Sequence, residues 1–107
     1  MRDMPLLYSI EYTSSARKDL RAIKDYISDN FHSYETAAQQ IQRITMAVRA
    51  LSIFPKRYRV RKKVSSGEEV RFLPVDNYTV LYTVDDATTS LTVLRVVYGR
   101  RNIYEII

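Results

Sequence analysis

Glu69-Val70-Arg71-Phe72-Leu73-Pro74-Val75-Asp76-Asn77-Tyr78-Thr79-Val80-Leu81-Tyr82-Thr83-Val84 contains two β-periodic runs around a two-residue polar break. Tyr78, Val80, Tyr82 and Val84 fall on one face of an extended chain, and Asp76-Asn77 tolerates the backbone of a tight turn. Working downstream, Asp85-Asp86-Ala87-Thr88-Thr89 supplies another turn, and the β-branched run Leu91 to Tyr98 reads as a third strand ended by Gly99. Ser65-Ser66-Gly67 precedes the first run as a turn, so this half of the chain predicts an antiparallel meander.

Upstream, the period changes. Ala16, Leu20, Ile23 and Ile27 recur at +4, +3 and +4, the stripe of an amphipathic helix, with Thr13-Ser14-Ser15 placed to cap its free amides and Ser28-Asp29-Asn30 to end it. Ser33 caps a second stripe, Ala37, Ile41, Ile44, Val48 and Leu51, which runs until Pro55. The short link around Phe31 and His32 predicts an antiparallel helical hairpin whose stripes face each other and a sheet. Leu7 to Tyr12 alternates with Tyr8, Ile10 and Tyr12 on one face, an opening strand. The order is therefore β-α-α-β-β-β, an α+β domain with the hairpin packed on a small, mainly antiparallel four-stranded sheet.

With 107 residues, 46% of them hydrophobic, the chain makes one domain spanning 1–107 and holds a two-layer core without disulfides. The absence of cysteine excludes a disulfide scaffold, a zinc ribbon and a thiol nucleophile. No apolar run approaches the roughly 20 residues of a membrane span, and Met1 to Leu7 lacks a signal-peptide core, so a cytoplasmic protein without a membrane partner is expected.

The charge of +5 is localised. Residues 56–71 hold Lys56, Arg57, Arg59, Arg61, Lys62, Lys63 and Arg71 against Glu68 and Glu69, while the flanking parts cancel each other. Such a segment either keeps a loop solvated or forms a patch that attracts a polyanion or an acidic protein. His32, the single histidine, lies far in sequence from it, which disfavours a histidine triad or metal cluster; Asp85-Asp86 and Glu68-Glu69 read as turn carboxylates. No metal and no cofactor is expected.

What remains is arginine with tyrosine, a combination suited to RNA, since guanidinium groups bind phosphate oxygens and phenol rings stack on unpaired bases. Cleavage also requires a proton acceptor for the 2′-hydroxyl; Tyr or Lys could serve where adjacent Arg charges lower its pKa. For Tyr58, Tyr78, Tyr82 and Tyr98 ordinary strand packing is the competing explanation. Arg71 shares its strand face with Leu73 and Val75, and Arg95 with Val93 and Val97, so each either reaches an edge or a carboxylate such as Glu11, or projects into a concave face to bind phosphate.

Thr13-Ser14-Ser15-Ala16-Arg17-Lys18-Asp19-Leu20, Phe54-Pro55-Lys56-Arg57-Tyr58, the Val70 to Tyr82 run and Val96-Val97-Tyr98-Gly99-Arg100-Arg101-Asn102 occur in the order seen in the RelE/ParE superfamily of toxins, which the chain resembles over nearly its whole length. The resemblance implies a toxin of a type II toxin–antitoxin module, restrained by a cognate antitoxin with an acidic, partly disordered segment. RelE-like members cut mRNA on the ribosome; ParE-like members inhibit DNA gyrase. By position, Arg71, Arg101 and Tyr104 take the catalytic places of the RelE-like set, with Arg59, Arg61, Lys62, Lys63, Arg95 and Arg100 around the substrate. Tyr104 lies closer to the final arginine than the RelE-type tyrosine, and the Pro55 and Asp76-Asn77-Tyr78 neighbourhoods are more ParE-like. Ribosome-dependent mRNA cleavage is the expected activity, with gyrase inhibition, or a degenerate domain that only binds antitoxin, as the alternatives.

Overall fold

The computed structural model describes residues 7–99 and 103–106, with the side chains of residues 104 and 105 outside that description. Strand β1 (Ser9–Tyr12) leads into helices α1 (Ser14–Phe31) and α2 (Tyr34–Ala50), and a 3-10 turn (Pro55–Arg57) precedes strands β2 (Val60–Lys63), β3 (Glu69–Val75), β4 (Tyr78–Asp85) and β5 (Ser90–Tyr98). A four-residue helix, α3 (Ile103–Ile106), follows.

The sheet has five strands in the order β1-β5-β4-β3-β2, with β1 parallel to β5 and the other pairs antiparallel. The expected count of four is corrected by β2, which lies in the basic segment and pairs Val60 with Arg71, Lys62 with Val70 and Lys63 with Glu69. An edge strand is held by backbone bonds along one side and needs no apolar alternation, so a run of cations conceals it. Its hairpin closes through Val64 N–H to Glu68 O and Gly67 N–H to Val64 O, with Gly67 at φ +90, where a side chain would be strained.

Capping fixes the helix entries. Thr13 Oγ1 accepts from Ala16 N at 3.0 Å and Ser33 Oγ from Thr36 N at 3.1 Å, each such cap contributing about 1 kcal/mol. Thr13 Oγ1 also donates to Leu94 O at 2.8 Å, which ties the start of α1 to β5. Helix α1 runs through Ser28-Asp29-Asn30 to Phe31, because Asn30 Nδ2 donates back to Tyr26 O and the left-handed turn comes only at His32, φ 50.

Each face of the sheet carries its own core. On the helix face, Ala16, Ile44, Val48 and Leu51 pack on Leu73, Tyr78, Val80, Tyr82, Leu91, Val93 and Val96. On the outer face, Val70, Phe72 and Leu81 enclose Ile103 of α3. Strand β4 is buried from Tyr78 to Thr83 because it lies at the centre and both faces are covered.

Candidate functional site

Arg71 lies on the helix face. It pairs across the sheet with Tyr82 and alternates with Leu73 and Val75, all packed toward the helices. Its Nη1 donates to Tyr58 O at 2.6 Å and to Lys56 O at 3.4 Å, holding the 3-10 turn and the residue that follows it. Tyr82 Oη donates to Pro55 O at 2.6 Å, and Arg57 donates to Ala50 O at 3.0 Å and Phe54 O at 3.2 Å. The turn's carbonyls, which no regular ladder would satisfy, are thus met by three side chains.

Arg95 is engaged elsewhere. Its Nε and Nη2 donate to the two oxygens of Asp19 at 2.7 and 3.0 Å, while Asp19 Oδ2 also accepts from Val96 N at 2.9 Å. The partner is Asp19 of α1, not Glu11. The expected shared face with Val93 and Val97 is corrected too: the ladder shifts between Leu81 and Tyr82, leaving Leu94 without a cross-strand partner, so Val93 and Val96 face the helices while Leu94 and Val97 face outward.

The remaining described cations of the anticipated site, Arg59, Arg61, Lys62 and Lys63, lie on or beside the edge strand β2. A cavity of about 230 Å³ is lined by Tyr58, Arg59, Arg61, Phe72, Thr79 and Ile103 among others. The ladder between β2 and β3 skips Arg61, whose guanidinium lies 5.1 Å from the centroid of the Phe72 ring. Lys62 and Lys63 stay in register with Val70 and Glu69 on the edge strand. Of the anticipated site, Arg59 and Arg61 come together, Lys62 and Lys63 adjoin them, and Arg71 and Arg95 make separate contacts elsewhere. Arg100, Arg101 and the Tyr104 side chain lie outside the described residues.

A tyrosine that transfers a proton at neutral pH is helped by a lowered pKa. The resolved shifts run the other way: burial pushes Tyr12 and Tyr78 up, a hydrogen bond to Asp86 pushes Tyr8 up, and burial carries Tyr82 up to about 12 against the opposing effect of Arg71. Asp86, which also accepts from Lys56, is held below the ordinary carboxylate range. Asp85 caps its turn through Ala87 N and Thr88 N. Among the described residues, no group of three His, Cys, Asp or Glu side chains is placed to hold a metal ion, and no helix is long and apolar enough to cross a membrane.

Two features escaped sequence reasoning. An open groove of about 810 Å³ runs between the helical hairpin and the β3–β4 turn, lined by Tyr26, Phe31, Arg43, Tyr78 and Tyr98 among others. Tyr26 falls to one side of the apolar stripe of α1 and Phe31 continues that stripe past Ile27, both as exposed aromatic side chains, which was the available signal. Ile53 and Phe54 stand exposed just before the 3-10 turn.

Residues 10–103 match the family model described as the ParE toxin of type II toxin–antitoxin system, parDE. Among curated proteins none matches. Among solved structures, a chain of the chromosomal ParDE system from P. aeruginosa superposes with a TM-score of 0.71 at 23% identity, covering 88% of this chain and 98% of that one. A chain of the RelBE2 toxin–antitoxin complex of Mycobacterium tuberculosis gives 0.61 at 21% identity, with 91% and 97% coverage. A chain of the archaeal RelE–RelB complex from Pyrococcus horikoshii OT3 gives 0.62 at 13% identity, with 89% and 98% coverage.

Proposed function

The chain belongs to the ParE toxin family of type II toxin–antitoxin systems, and from that premise we propose that it is the toxin of such a module and arrests growth by binding DNA gyrase, without cutting RNA. The observation that carries this reading is the placement of Arg71. Its guanidinium serves the Lys56 and Tyr58 carbonyls on the helix face, whereas Arg59 and Arg61 border a cavity that opens on the other. A nuclease needs its cations to converge on one phosphate and a proton acceptor of lowered pKa beside them. In this reading the described cations serve binding.

A cognate antitoxin restrains the toxin, as the toxin–antitoxin complexes among its structural neighbours suggest. An acidic antitoxin segment complements the cations of the β2 edge, Arg59, Arg61, Lys62 and Lys63, and that contact weakens as salt screens it. With either gyrase or the ribosome as target, the protein would act in the cytoplasm.

One observation favours the nuclease alternative: Arg59 and Arg61 border the same cavity as Tyr58 and Phe72, an arrangement able to hold a phosphate beside a stacked base. Purified toxin added to a supercoiling assay and to a translating extract separates the two. Loss of supercoiling with translation intact is the expected result. Cleavage of ribosome-bound mRNA with supercoiling intact would reverse the assignment, and activity in neither assay would favour a domain that only binds antitoxin.

A further inference from the structure

The chain from Ile53 to Tyr58 combines tight fixation with exposed apolar side chains. Tyr82 holds Pro55 O, Arg71 holds Lys56 O and Tyr58 O, Arg57 holds Ala50 O and Phe54 O, and Lys56 pairs with Asp86. Yet Ile53 and Phe54 are 60% and 59% exposed, and the Arg57 guanidinium lies 5.7 Å from the centroid of the Phe54 ring. The bond from Tyr8 N to Ser52 O draws the chain at Leu7, itself 62% exposed, beside them. A segment fixed this firmly loses little conformational freedom on meeting a partner, and large apolar side chains offered on such a segment have the character of interface anchors.

The electrostatics describe that partner. Arg57 and Arg71 donate to neutral carbonyls, which leaves their charge in place, and the one carboxylate of the cluster, Asp86, pairs with Lys56 and also feels Arg71, so three cations face one anion. The anchors are therefore framed by a net positive charge. We infer that the rigid Ile53-Phe54 turn is the surface by which the toxin engages its target enzyme, inserting both side chains into an apolar pocket rimmed by carboxylates. The inference rests on the reading of the chain as a gyrase-binding toxin, and a folded enzyme with a fixed pocket suits a fixed anchor better than a disordered antitoxin segment that gains order only on binding.

The test uses the full chain, released from its antitoxin, with gyrase and relaxed plasmid, comparing wild type with Phe54→Ser and Ile53→Ser; because both side chains point to solvent, thermal unfolding should stay near that of the wild type. The expected result is at least a ~tenfold rise in the concentration needed to inhibit supercoiling for either variant, recovery of much of the loss in Phe54→Leu, weaker inhibition as salt rises, and unchanged antitoxin affinity. Full inhibition by folded Phe54→Ser and Ile53→Ser overturns the inference and leaves the gyrase reading standing. Loss of antitoxin affinity with inhibition intact also overturns it, by assigning the turn to the antitoxin. A wild-type protein that leaves supercoiling untouched removes the gyrase reading itself, and the inference with it.

Discussion

Asp19 grips the Arg95 guanidinium with both carboxylate oxygens and, through Oδ2, accepts the backbone N–H of Val96. This one side chain joins α1 to β5 where β1, whose pairing stops at Val93, no longer covers the edge. A half-buried carboxylate with three donors is worth more than a surface ion pair, because its loss strands both a cation and an amide. Asp19→Ala should lower stability by about 2 to 3 kcal/mol, with Asp19→Asn in between. Urea unfolding measures it; a change below about 0.5 kcal/mol would show that the edge is satisfied in some other way.

Tyr82 predicts an alkaline limit. It is fully buried, its Oη donates to Pro55 O, and burial raises its pKa to about 12. A phenol whose folded value lies above its unfolded value of about 10 adds stability that is complete below pH 10 and is lost as pH rises toward 12. The contribution is on the order of 2 to 3 kcal/mol. Unfolding free energies from pH 8 to 11.5 should fall steeply above 10 in the wild type. Tyr82→Phe should flatten that fall and lose about 1 kcal/mol at neutral pH through the unsatisfied carbonyl.

Arg71→Ala should loosen the 3-10 turn before anything else. Removing the guanidinium frees the Lys56 and Tyr58 carbonyls, at a cost of about 1 to 2 kcal/mol. Hydrogen exchange should accelerate at Arg57 N, which donates to Phe54 O inside the clamped segment. Wild-type protection there in Arg71→Ala would contradict the clamp. On the gyrase reading, neither protein cleaves ribosome-bound mRNA.

Asp76 makes stability sensitive to acid. Hydrogen bonds from Arg43 at 2.8 Å and Gln40 at 2.9 Å hold its carboxyl below the ordinary range and pin the β3–β4 turn to α2. A lowered folded value means that its stabilisation is present above the unfolded pKa and is lost as pH falls through the folded one, so the loss occurs below about pH 4. Asp76→Asn should weaken the urea midpoint at pH 7 and reduce its drop between pH 5 and 3. Asn accepts the left-handed backbone, φ 55 at this position, so the change reports charge and not strain. Added salt should narrow the difference between the two proteins.

Much of the architecture was legible because its causes are local. The stripe from Ala16 to Ile27, the caps at Thr13 and Ser33, and the alternation of Tyr78, Val80 and Tyr82 each express a repeat that one segment carries alone. The sequence also located the charge surplus, and Arg59 and Arg61 do border one cavity. It concealed β2, whose cationic residues show no period, and the irregularity at Leu94, which reverses the expected outlook of the residues after it.

Sequence alone determined the two long helices and the strands β1, β3, β4 and β5, that a hairpin covers a sheet, and that the cations concentrate between the second helix and the meander. Only the tertiary structure decided which face each cation serves, that Arg71 clamps a turn and Arg95 closes on Asp19, and that Ile53 and Phe54 stand out on a fixed support. Periodicity is written into neighbouring residues, whereas the partner of a guanidinium is set by which carbonyls and carboxylates the packed chain leaves unsatisfied nearby.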